Sequence, residues 1–174
     1  MEIGATKAVQ DRLKTTKIEE SKGASLAFCW DTHLTKIKGR NVLFIVNASN
    51  RYTIAMTDIE PRNWNYYTMY IRSVIHGVMQ EMGYSEDQIG QYFKMSGDTT
   101  VTKTHGRKSV GGINRMVMDA QYFGKKLEKE AKYQWELSEY LNRDICQPEG
   151  FDAYGYPSEL FKLDMERLGI AAKR

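Results

Sequence analysis

The sequence predicts an α+β fold: an antiparallel sheet of about four strands packed against helices, with a helical C-terminal extension. Two patterns carry that expectation. Between residues 25 and 57, strand-like segments follow one another across short turns, which reads as an antiparallel meander. Directly afterwards, Trp64, Tyr67, Ile71, Val74, Ile75, Val78 and Met82 recur at spacings of three and four, the period of a helix with one buried face. At 174 residues, with 41% hydrophobic and 27% charged side chains, the chain suits one domain, or one domain with an appendage.

Each element has its own signal. Residues 5–14 read as a short helix, because Ala5, Val9 and Leu13 lie four apart. A charged loop follows over 14–23. A strand over 25–37 runs through Leu26, Phe28, Trp30, His33, Thr35 and Ile37, and Lys38-Gly39-Arg40 turns the chain. Val42, Leu43, Phe44, Ile45 and Val46 are apolar without alternation, so this strand is expected to be central and covered on both faces. Past the Ala48-Ser49-Asn50 turn, Tyr52, Ile54 and Met56 alternate with Thr53, Ala55 and Thr57. Pro61 opens the long helix, which Gly83 ends. Ser85 with Gln88 forms a capping box for a short helix through Ile89, Tyr92 and Phe93. Residues 99–104 read as an edge strand and 103–112 as a loop. From about residue 113 a helix uses Val117, Ala120, Phe123 and Leu127, continuing or restarting through Trp135, Leu137 and Leu141. The stretch 147–157, with two prolines and two glycines, reads as irregular, and 158–168 as a last amphipathic helix. The division expected is a core over 1–123 and an aromatic-rich helical extension over 124–174, packed on or beside it.

Composition narrows the chemistry. Two cysteines, far apart and in no CxxC pair, suit free thiols in a reducing compartment. There is no signal-like start and no apolar run near the roughly 20 residues of a membrane span, so the expected setting is cytoplasmic, away from membranes. His33, His76 and His105 are isolated in sequence from one another and from cysteine, so no metal-ligand spacing is legible. His76 reads as structural, and Asp58 and Glu60 as acids at a helix start rather than metal ligands. Gly106-Arg-Lys-Ser-Val-Gly-Gly112 has glycines at phosphate-loop separation but lacks the Lys-Ser/Thr pair that must follow. No catalytic constellation is present, so no enzymatic activity, cofactor or metal is expected.

The net charge of +3 is mild, but the cations cluster. Residues 97–115 hold four basic residues against one acid, and residues 33–51 hold four against none. Lys36, Lys38, Arg40, Arg51, Lys103, His105, Arg107, Lys108 and Arg115 are therefore the candidate partner- or anion-binding set. The glycine-rich loop can hold an anion on backbone N–H groups at a helix start, or can simply use glycine for its backbone freedom. Residues 124–174 carry nine bases and ten acids, which does not suit nucleic acid. Trp135, Tyr140, Tyr154 and Tyr156 there suit a protein interface or self-association.

Three segments carry a family resemblance: Ala5-Thr-Lys7; Asn41-Val-Leu-Phe-Ile-Val-Asn47 running into Ser49-Asn-Arg-Tyr52; and Thr102-Lys-Thr-His-Gly-Arg-Lys-Ser-Val-Gly111 with Asn114. Over roughly residues 3–123 the chain resembles an uncharacterised bacterial plasmid- and phage-associated domain, found alone or ahead of plasmid ORF-3-like modules. The resemblance implies an α+β fold and a link to mobile genetic elements, lends no catalytic residues, and leaves 124–174 outside. The function expected is a non-enzymatic binding protein of a mobile element. In strategy it would resemble an anti-CRISPR inhibitor or counter-defence factor that blocks a nucleic-acid-handling complex. The alternative is a nucleic-acid-binding regulator using basic loops 36–51 and 103–115. A protein or ribonucleoprotein partner is expected, with direct nucleic-acid contact and homo-oligomerisation left open.

Overall fold

The computed structural model describes residues 1–15 and 18–171. Its centre is a five-stranded mixed sheet in the order β4-β3-β2-β1-β5. The strands are β1 (Glu2–Ala5), β2 (Cys29–Ile37), β3 (Arg40–Asn47), β4 (Thr53–Thr57) and β5 (Thr100–Thr102). The antiparallel meander expected from the sequence is β2-β3-β4. The expectation of about four antiparallel strands is corrected by β1, which runs parallel to both β2 and β5. Every residue of β1 is buried, so Glu-Ile-Gly-Ala shows no inside–outside alternation. A strand of that length is too short for a pattern argument, and helix α1 (Lys7–Leu13) follows almost at once.

Helices cover both faces, as the doubly apolar β3 requires. On one face Ile3, Trp30, Leu43, Ile45 and Ile54 meet α3 (Tyr67–Glu81), α4 (Glu86–Ser96) and α7 (Pro157–Arg167) through Ile71, Ile75, Ile89, Tyr92 and Phe161. On the other, Val42, Phe44, Val46 and Ala55 meet α5 (Gly106–Gln121) and α6 (Trp135–Asn142) through Ile113, Met116, Ala120, Leu137 and Leu141. The helix expected from Pro61 is two: α2 (Pro61–Asn65) and α3 break at Tyr66, whose backbone leaves the helical region. The capping box of Ser85 and Gln88 is present. Helix α5 begins at Gly106, not near residue 113, so the expected glycine-rich loop is its first two turns. Gly112, inside the helix, leaves room for the Arg51 side chain: a Cβ there would lie 3.0 Å from Arg51 Nε.

The extension closes the sheet at β4. The outward backbone of β4 would be an open edge, a template for unwanted pairing. Gln134, Ser138 and Asn142 lie four residues apart, a rise of about 6 Å along a helix. Thr57, Ala55 and Thr53 lie two apart, about 6.8 Å along a strand. The two repeats run in register. Gln134 Nε2 donates to Thr57 Oγ1 at 3.0 Å, Ser138 Oγ accepts from Ala55 N–H at 3.0 Å, and Asn142 Oδ1 accepts from Thr53 N–H at 2.8 Å. Asn142 Nδ2 also donates to the Thr53 carbonyl at 2.8 Å. From α7, Phe161 packs on Trp30 and Tyr52, deep in the first face.

Asn142→Ala removes the side-chain partner of both the backbone N–H and the carbonyl of Thr53, a residue only 2% exposed. The expected destabilisation is about 1–3 kcal/mol, read from urea unfolding. A loss below about 0.5 kcal/mol, the scale of an ordinary surface change, would mean that β4 does not depend on this helix.

Candidate functional site

The start of α5 is organised by a carboxylate from another element. In β2, Asp31 is fully buried opposite Gly4 of β1. Only glycine fits there, because a Cβ at Gly4 would sit 1.9 Å from Asp31 Oδ1. Asp31 accepts from the His105 backbone N–H at 3.2 Å, pairs with His105 Nδ1 at 2.7 Å, and accepts a short hydrogen bond from Ser109 Oγ. The far ring nitrogen, Nε2, lies 2.9 Å from Glu2 Oε2. Glu2 Oε1 accepts the Lys22 N–H at 2.8 Å, and the Ser21 hydroxyl bonds the same carboxylate. The three side chains are 5%, 0% and 3% exposed for Glu2, Asp31 and His105.

Burial pushes the His105 imidazole down, but its hydrogen bonds and charge interactions with Asp31 and Cys29 outweigh this and raise it to about 10. Burial pushes Glu2 up, and the bonds from Ser21, His105 and Lys22 overcome it and leave Glu2 below its ordinary value. A serine, an aspartate and a histidine meet here, but Ser109 bonds Asp31 and not the imidazole. The histidine is therefore not set to take the serine's proton, as acyl transfer requires. The arrangement instead clamps β1, β2 and the α5 N-terminus together, with Asp31 where the helix dipole favours negative charge. The same histidine brings a metal-type donor set together: ligand atoms of Glu2, Cys29 and His105 lie within 4.8 Å of one another, all buried.

The sequence-derived cations divide. His105, expected at the surface, is buried as described, because its ring satisfies two interior carboxylates. Lys38 donates to the Lys125 carbonyl at 2.9 Å, Arg40 to the Glu128 carbonyl at 2.7 Å and to Asp58, and Arg51 to the Gly112 carbonyl at 2.9 Å. These three hold loops in place. Lys103 pairs with Glu20. Lys36 is exposed near the end of β2. Arg107, Lys108 and Arg115 share the outward face of α5, Arg115 in an exposed pair with Asp119 at 3.4 Å. Along that face follow Met118 and Tyr122, 60% and 80% exposed. Neither was singled out from the sequence, although 107, 111, 115, 118 and 122 fall at helical spacing and so mark one stripe.

Of the aromatic set, Trp135 and Tyr140 come together in a groove of about 480 Å³ with Phe123, Asp119, Glu136 and Glu139. Tyr154 and Tyr156 are exposed in the connection before α7 and do not line that groove. Asp58 and Glu60 are engaged by Arg40 and by Arg62 and Lys132, respectively.

A family model described as "Domain of unknown function (DUF6933)" matches residues 2–160. The chain belongs to this family. The DUF6933 match takes in all five strands and α1 to α6, so most of the extension, set outside the resemblance at residue 123, lies inside the family's own boundary. No curated protein and no solved structure matches the chain significantly.

The buried network has a pH signature. His105 is raised in the folded state from 6.5 to about 10, so its contribution is complete below pH 6.5 and is lost as pH rises through about 10. Glu2 is lowered from 4.5, so its contribution is present above pH 4.5 and lost as pH falls further. Urea midpoints are expected to decline steadily from pH 6.5 towards 10, and His105→Gln to remove most of that slope. A flat midpoint across this window in the unmodified protein would contradict the charged network.

Proposed function

We propose that this DUF6933 chain is a non-enzymatic binding protein that docks on an acidic partner surface through the outer face of α5. The reading includes a cytoplasmic setting, a mobile genetic element as source, and a partner in a nucleic-acid-handling complex, the strategy of inhibitors and counter-defence factors. The observation that carries it is the stripe itself. Arg107, Lys108 and Arg115 lead along one helix into Met118 and Tyr122, and the last two stay largely exposed. Cations beside an exposed aromatic and a methionine are the mix that protein interfaces favour, with the apolar residues as anchors and the charges as steering.

Direct nucleic-acid binding is less well supported. Of the four cations between residues 33 and 51, three point into carbonyls of the protein. Beside α5, the groove with Trp135 and Tyr140 carries four acids, Asp119, Glu136, Glu139 and Asp144, against two bases. Phosphate backbones are repelled by such a flank.

Two double variants, Arg107→Glu with Lys108→Glu and Met118→Ala with Tyr122→Ala, separate the readings. Both pairs are solvent-facing, so melting temperatures are expected to stay close to the unmodified protein. Capture of a defined partner from nuclease-treated host lysate is expected with the unmodified chain and lost with both variants. Binding abolished by nuclease, or kept by both variants, would count against a protein-docking face. A salt-steep affinity for plain duplex DNA, with several phosphates neutralised, would favour the regulator reading.

A further inference from the structure

We infer that Glu2, Cys29 and His105 form a buried site for zinc or a similar borderline divalent ion. The donors are a carboxylate, a thiol and an imidazole, the set that zinc takes in a tetrahedral arrangement. They come from β1, from the first residue of β2 and from the residue that opens α5, and their ligand atoms lie within 4.8 Å of one another. Zinc–ligand bonds of about 2.0–2.3 Å at tetrahedral angles place donors about 3.3–3.8 Å apart. Closing on an ion therefore needs a shift of about 1 Å or less at the thiol, and a slight opening between His105 Nε2 and Glu2 Oε2, now 2.9 Å apart.

What distinguishes the cluster from a chance meeting of polar side chains is how its outer atoms are held. A metal-bound histidine commonly gives its other N–H to a carboxylate, which fixes ring and tautomer. Here His105 Nδ1 lies 2.7 Å from Asp31 Oδ1, leaving Nε2 directed at the other donors. Asp31 is fixed in turn by Ser109 and by the His105 backbone. Glu2 Oε1 is taken by the Lys22 N–H, which leaves Oε2 inward. Cys29 Sγ hydrogen-bonds His105 and makes longer contacts to the Ser25 and Ala24 carbonyls, 3.4 and 3.8 Å. Residues 20–24, which carry the Lys22 N–H and Ser21 hydroxyl that bond Glu2, form neither helix nor strand, and 21–23 are exposed.

A dication takes its sulfur ligand as thiolate and its imidazole ligand unprotonated at the coordinating nitrogen, so its entry displaces protons from the site to solvent.

The test uses the full chain, stripped with a chelator under a phosphine reductant and titrated with cobalt(II), then zinc. The expected result is a single equivalent of cobalt with a thiolate-to-cobalt charge-transfer band and the visible bands of a four-coordinate ion, displaced by zinc. Cys29→Ser is expected to abolish the charge-transfer band while circular dichroism stays unchanged. Cys146→Ser should keep the band, and Glu2→Gln should weaken binding at least about tenfold. No band in the unmodified protein, or a band kept in Cys29→Ser, would overturn the site and leave a purely hydrogen-bonded network.

Discussion

Asp31 sits in the interior with no exposed surface, and the start of α5 converges on it: a backbone N–H, an imidazole and a serine hydroxyl. A carboxylate in such a place is costly unless its charge is matched and its oxygens are occupied. His105 supplies the matching charge and passes the linkage on to Glu2. Because Glu2 belongs to β1, Asp31 to β2 and Ser109 to α5, three pieces of chain far apart in sequence are fixed by one cluster. Gly4 belongs to the same constraint, since any side chain there would occupy the space Asp31 needs. The parallel addition of β1 between β2 and β5 and the point at which α5 begins both depend on it.

The two ends of the sheet are protected by different means. At β5 the outer edge is met by Glu19, whose carbonyl accepts the Lys103 N–H at 3.0 Å. At β4 a helix does the work of a missing strand, with Gln134, Ser138 and Asn142 presenting polar atoms at the strand's own repeat. A helix can substitute in this way only where four helical residues and two strand residues span nearly the same length. The extension thus covers the backbone of the sheet's β4 edge, and the family match runs through α6 to residue 160.

What could be read from the sequence follows from how local each signal is. The meander, the apolar face of α3 and the Ser85–Gln88 box are written in spacings of two, three and four residues, and the structure contains them. Strand β1 is four buried residues with no alternation and escaped. Helix α5 escaped at its start because glycines at 106, 111 and 112 argue against a helix when only propensity is counted. The capping carboxylate that compensates comes from Asp31, a long way off in sequence. His105 stood in the candidate partner- or anion-binding set for the same reason, since the carboxylates it meets, Asp31 and Glu2, come from other strands. Glu2, Cys29 and His105 were illegible as a group, because no sequence spacing joins them. The Gln134–Ser138–Asn142 stripe was legible in principle, as small polar residues four apart beside Leu137 and Leu141.

The central claim is that His105 is held as an imidazolium between two buried carboxylates. Nitrogen-15 chemical shifts of its two ring nitrogens, recorded in chelator-treated protein across a pH titration, address this most directly. The predicted result is a doubly protonated ring through neutral pH, releasing its proton only towards about 10. A ring that titrates near 6.5, or that shows one protonated and one bare nitrogen at neutral pH, would contradict it.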